Sequence, residues 1–122
     1  MKKIEAIIRP DKFEDVKAAL KEAGYGGLTV TEVEGHGLQK GVTQQWRGRY
    51  YKAELLPKIK LEIVCPEREK EKIIKAILWS AHTGQVGDGK IFVYDIAESY
   101  RISSGESGEK VVAQESRTLS AI

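Results

Sequence analysis

The chain has 122 residues, 41% hydrophobic and 31% charged, a composition that fits one soluble globular domain and excludes a disordered chain. Twenty Lys and Arg against 18 Asp and Glu leave a net charge of +2, too balanced for nonspecific nucleic-acid binding. The single cysteine, Cys65, excludes an internal disulfide framework and a multi-cysteine metal site, and no apolar run approaches the ~18 residues of a membrane helix.

Lys3 to Arg9 (KIEAIIR) mixes alternation with β-branched residues and predicts a strand. No apolar stretch follows Lys2 and Lys3, so no leader peptide is expected, and the expected compartment is the cytoplasm. Pro10 ends the strand. Asp11 and Glu14 stand at capping-box spacing, and Phe13, Val16, Leu20 and Ala23 recur at helical intervals, which predicts a helix over 12–23 stopped by Gly24. Gly26 and Gly27 make a turn, and Leu28 to Val33 alternates as a second strand.

Residues 35–56 break the pattern with four glycines, many polar groups and the aromatics Trp46, Tyr50 and Tyr51. A segment this long without a clear period is unusual inside a compact domain. Ribbon-like outer ends with a mobile, exposed middle are expected; a packed hairpin with its own small core is the alternative. Lys58 to Cys65 (KIKLEIVC) alternates as a third strand, with Cys65 read as a small buried hydrophobe. Pro66 suits a first helical position, and residues 67–81 predict a helix. Its apolar face is Ile73, Ile74, Ile77, Leu78 and Ala81, and Glu71 and Lys75 are spaced for an i,i+4 pair. Thr83 to Gly89 is punctuated by glycine, Lys90 to Ile96 is a fourth strand, and a loose polar chain is expected from Ser103 onward.

The order strand–helix–strand, long loop, strand–helix–strand is that of the ferredoxin-like double βαβ fold. This α+β arrangement is a four-stranded antiparallel sheet with two helices on one face. The two halves read as a degenerate duplication. Ala6, Ile8 and alternate residues of 58–65 suggest apolar groups on both faces of the sheet, so a closed-ring oligomer is expected to cover the second face.

The stretch Thr83-Gly84-Gln85-Val86-Gly87-Asp88-Gly89-Lys90 formally contains G-x-x-x-x-G-K. A Walker A loop needs Ser or Thr next, where Ile91 stands, and it runs from strand into helix rather than from helix into strand. The P-loop reading is therefore rejected. Three glycines and Lys90 still suit a turn that presents backbone N–H groups and a positive charge to an anion. A plain glycine-rich connection is the alternative. A second cluster is Gly35-His36-Gly37-Leu38-Gln39-Lys40, where two glycines permit close approach, Gln39 can ligand a cation and Lys40 can pair with a carboxylate or phosphate. Lys58, Arg101 and Arg9 are further cations near strand ends. The two histidines, His36 and His82, form no nucleophile–base–orienter set, so no catalytic residue is assigned and no enzyme is expected.

Four segments together resemble the PII signal transduction proteins: GLTVTEVEGHGLQKG (27–41), WRGRYY (46–51), LLPKIKLEIV (55–64) and TGQVGDGKIFVYDI (83–96). The last is the most specific. The resemblance covers about residues 1–109, with residues 36–55 similar to the family's T-loop and 82–90 to its B-loop, and leaves 110–122 as a C-terminal tail. It implies a compact homotrimer that senses nitrogen, carbon and energy state, with ATP and ADP competing for clefts between subunits. On that resemblance Gly87, Asp88, Gly89 and Lys90 hold the phosphates, and Arg101 from a neighbouring chain adds charge. Gly35 and Gly37, with nearby backbone of strands two and three, flank the adenine, and Thr29 and Val64 are further nucleotide-binding residues. Gln39 is similar to the family's ligand for the magnesium that accompanies ATP. Arg9, Lys40 and Lys58, with Gln39, surround 2-oxoglutarate.

The resemblance further implies that the T-loop regulates a target, such as an ammonium transporter or metabolic and regulatory enzymes, with membrane contact only through a transporter. Arg47 matches the arginine that enters a transporter channel, and Tyr51 matches a tyrosine that some bacterial relatives modify. Arg49 replaces a serine phosphorylated in cyanobacterial relatives. Ser103 stands where the family usually has arginine, which removes one phosphate contact and keeps open a divergent sensor of adenine nucleotides or another metabolite. Two other classes compete. A slow ATPase lacks an evident base, and an RNA-binding ferredoxin-like module lacks aromatics on strands 3–9 and 58–65 for bases to stack on.

Overall fold

In a computed structural model, four strands form one antiparallel sheet in the order β2-β5-β1-β6. The structure describes residues 1–39, 45–46, 49–50 and 52–114, with only the backbone described for 37–39, 45–46, 49–50 and 52–54. Strand β1 (Lys2–Ile8) leads through a 3-10 turn at Pro10–Lys12 into α1 (Phe13–Ala23). Strand β2 (Thr29–Gln39) follows, then the two-residue strands β3 (Gln45–Trp46) and β4 (Arg49–Tyr50), which pair with each other, and β5 (Lys52–Cys65). A 3-10 turn at Glu67–Glu69 opens α2 (Lys70–Ala81), and β6 (Gly89–Asp95) ends the sheet.

The period-two pattern decides the faces. Ile4, Ala6 and Ile8 of β1 and Leu61, Ile63 and Cys65 of β5 are buried, and they meet Val16 and Leu20 of α1 and Ile73, Ile77 and Ala81 of α2. Both helices therefore cover one face, as the ferredoxin-like order predicts. Register confirms it: Ile4 faces Ile63 and Ala6 faces Leu61. Ala6 and Ile8 thus belong wholly to the helix-covered face, which corrects the expectation of apolar groups from these residues on both faces. The open face carries Lys3, Glu5, Lys60, Glu62 and Tyr94 in a charged ladder. Lys3 lies 2.8 Å from Glu62 and 4.8 Å from the Tyr94 ring centre, where ring and cation attract.

Other boundaries shift for local reasons. Neither helix has a side-chain cap; each is entered through a 3-10 turn, with Lys12 and Glu69 at the cap positions, so the Asp11–Glu14 capping box does not form. Pro66 caps the second 3-10 turn rather than standing inside the helix. Gly24 ends α1 with φ 84°, a conformation glycine adopts without strain, and its N–H donates to Leu20 O. Lys70, not Lys75, approaches Glu71, at 3.8 Å. Of the expected apolar face of α2, Leu78 is 57% exposed.

The β2–β5 ladder runs much further than the alternation suggested, pairing Thr29 with Glu62 at one end and Gln39 with Lys52 at the other. The outer ends of 35–56 are thus ribbon, as expected. The middle of that segment, with Lys40, Arg47 and Tyr51, lies outside the described residues. Residues 103–114 depart from the expected loose chain. Tyr100 bridges Ser107, Arg101 N donates to Glu106 O at 2.7 Å, and a 3-10 turn spans Glu109–Val111.

Candidate functional site

The turn between α2 and β6 is built from glycine conformations and one carboxylate. Gly84, Gly87 and Gly89 have φ of 86°, 100° and 104°, in the region L side chains rarely adopt. At Gly89 space compounds the requirement, because a Cβ there would stand 1.7 Å from Ile7 O. Asp88 then closes the turn. Its carboxylate accepts from the Thr83 hydroxyl, from Thr83 N at 2.8 Å, from Gly84 N at 2.9 Å and from Arg9 Nε at 3.0 Å. These donors, the Thr83 hydroxyl first, hold the Asp88 carboxyl far below the usual carboxylate range.

Two cations from distant segments, Arg9 just after β1 and Lys58 in β5, meet this turn. Arg9 donates to Val86 O at 2.8 Å, and Lys58 Nζ donates to Gly87 O at 2.7 Å. Burial and the nearby Arg9 guanidinium push the Lys58 amine down from its ordinary value. Among the described residues Arg9, Lys58 and Lys90 stand against two carboxylates, Asp88, which is occupied, and Asp11, which also acts on Lys58. A cavity of about 460 Å³ opens beside these groups, lined by Ile7, Gly35, His36, Lys58 and the turn residues 85–90. Its size is that of a small-molecule site. The cations and the depressed lysine suit an anionic occupant, which would oppose the lowering of the Lys58 pKa.

The expected site residues do not all converge. Gly35, Lys58, Gly87, Asp88, Gly89 and Lys90 line this cavity and Arg9 flanks it. The backbones of Gly37 and Gln39 continue β2 beyond it. Thr29 and Val64 lie instead on a second cavity of about 550 Å³ with Lys3 and Glu62. Six residues of strand separate Thr29 from Gly35, about 20 Å. Arg101 follows β6 at the same end as Thr29 and is paired with Glu106 at 2.7 Å.

Sequence reading missed several participants. Thr83 is the principal partner of Asp88, Ile7 supplies both a cavity wall and the carbonyl that excludes a side chain at 89, and Glu62 lines the second cavity. An Asp inside a glycine turn, a few residues after a threonine, was the available signal, since such carboxylates cap local N–H groups. Nothing local could have signalled Ile7.

A family model described as nitrogen regulatory protein P-II matches residues 1–106. The chain is 53% identical over 112 residues to nitrogen regulatory protein P-II 2 of Methanothermobacter thermautotrophicus, covering 92% of this chain and 97% of that one. It is 50% identical to nitrogen regulatory protein P-II of Pasteurella multocida, again over 112 residues, with 92% and 100% of the two chains covered. With nitrogen regulatory protein P-II 1 of Escherichia coli K12 the identity is 49%, at the same coverage.

Proposed function

The chain belongs to the nitrogen regulatory protein P-II family, whose members are regulatory proteins, and from that premise we propose that it binds ATP or ADP and 2-oxoglutarate between the subunits of a homotrimer. It then regulates a target through residues 36–55. One observation carries the reading. The residues expected to bind a single nucleotide are split between two cavities, Gly35 on one and Thr29 and Val64 on the other. One chain cannot bring them onto one small molecule, because the strand between them spans about 20 Å. A second copy can, by setting its Thr29 end against the first copy's Gly35 end. Arg101 stands at the Thr29 end and so reaches the phosphates from the neighbour.

On this reading the phosphates lie along the N–H groups of residues 87–90, with the Lys90 ammonium beside them. Asp88 does not repel them, because its charge is met by Thr83, Gly84 and Arg9. Gln39 is the side chain assigned to magnesium, which at such sites takes phosphate and water oxygens as its other ligands. Arg9, Lys40 and Lys58 offer three cations to the two carboxylates of 2-oxoglutarate. In the structure Arg9 and Lys58 are bonded to the carbonyls of Val86 and Gly87. A dicarboxylate competes for the same donors and so couples its own binding to the phosphate turn. Because it also shares Gln39 with magnesium and ATP, it selects the ATP state. The ribbon β2–β5 carries the change outward to Arg47, the contact for a partner such as an ammonium transporter, and to Tyr51, a position open to modification.

Ser103 favours a second reading. A serine in place of a phosphate-binding arginine fits a sensor of adenine nucleotides or another metabolite that ignores 2-oxoglutarate. Calorimetry separates the two. Titration of 2-oxoglutarate should give heat only in the presence of magnesium and ATP, and none with ADP. Nucleotide binding with no response to 2-oxoglutarate would establish the second reading, with Ser103→Arg as the variant to test next.

A further inference from the structure

The chain end from Ser99 to Gln114 is anchored at several points. Ser99 Oγ donates to Gly108 O at 2.9 Å, and Gly108 N donates back to Ser99 O at 3.0 Å. Glu109 pairs with Arg68 of the 3-10 turn before α2. Beyond Glu109 the backbone lies directly on the α1–β2 connection. A Cβ at Gly26 would stand 2.4 Å from Val112 O and 2.8 Å from Ala113 O, so only glycine admits this approach. The result is a strap whose Val111 and Val112 line the second cavity together with Thr29 and Val64.

We propose that Val111 and Val112 are binding residues for the nucleotide, an apolar wall against its base end, and that the Arg68–Glu109 pair seats that wall. The inference rests on the nucleotide reading above. Its chemistry is that of a planar, largely apolar group. Thr29, Glu62 and Lys3 supply polar atoms to the cavity lining, and the two valines and Val64 supply apolar atoms against which a base can be covered. The wall belongs to the chain end, so its seating and base binding favour each other.

The test is calorimetry with ATP and with ADP on the full chain. The double variant Val111→Ser/Val112→Ser should weaken both nucleotides by the same factor, about tenfold, because they share the base and differ only in phosphates. Glu109→Arg should weaken both in parallel, and the charge exchange Arg68→Glu/Glu109→Arg should recover most of the loss. The inference is overturned if the double serine variant stays within twofold of the parent. It is equally overturned if the ATP-to-ADP ratio shifts, which would mean a distortion at the phosphates, or if the charge exchange recovers nothing. Failure of the parent protein to bind either nucleotide would remove the nucleotide reading as well. A parent that binds both, with unaffected variants, would remove the wall alone.

Discussion

Asp88 shows how one side chain can serve two purposes. It neutralises Arg9 and caps the N–H groups of Thr83 and Gly84, which frees the rest of the turn to face a ligand. Its folded pKa lies below its unfolded value near 4, so its ionised form contributes stability that is complete above that pH. The contribution is lost as pH falls below about 4. Asp88→Asn should therefore cost roughly 2 kcal/mol at pH 7, the loss of hydrogen bonds to a charged group. The gap in melting temperature between parent and variant should narrow as pH is lowered from 4 toward 2. A gap that stays constant with pH would show that the carboxylate's charge is not what holds the turn. The glycine spacing made the strained geometry of this turn legible from the sequence. The partners Arg9 and Lys58 were legible only as scattered cations, because they reach the turn from 79 and 29 residues away.

Helices and strands followed their apolar periodicity closely, and the exceptions have local causes. Val16 and Leu20, at helical spacing, are fully buried under α2 and the sheet. Leu78 fits the same spacing on α2 yet lies at the rim of the contact, beside Trp79, which is 85% exposed. Leu20→Ala should then cost about 3 kcal/mol in chemical denaturation, and Leu78→Ala well under ~1 kcal/mol. Equal costs would mean that a surface absent from this structure buries Leu78. Capping residues misled where a 3-10 turn had already satisfied the first N–H groups, as at Pro10–Lys12. Composition misled at the chain end. Residues 103–114 are rich in Gly and Ser, and they hold their shape through Arg68 and Gly26, contacts that no local pattern encodes.

At the level of the assembled molecule, the open sheet face and the split site make the same demand. The face opposite the helices presents Lys3, Glu5, Lys60 and Glu62 with Ile7, Val64 and Phe92, a mixed surface rather than a second core. Strands β2 and β6 both leave an edge free among the described strands. Light scattering of the purified protein should give three times the chain mass of 13.6 kDa. A stable monomer would leave the Gly35 and Thr29 cavities on separate ends of one chain and sink the shared site. Element order, the helix-covered face, the glycine turn and the family resemblance were all carried by the sequence, because they depend on periodicity and on motifs a few residues long. Only the tertiary structure decided that Thr29 and Val64 lie away from Gly35, that Arg9 and Lys58 hold the glycine turn, and that Val111 and Val112 line the second cavity. Those relations depend on strand register and on contacts between distant segments, and neither is written in local spacing.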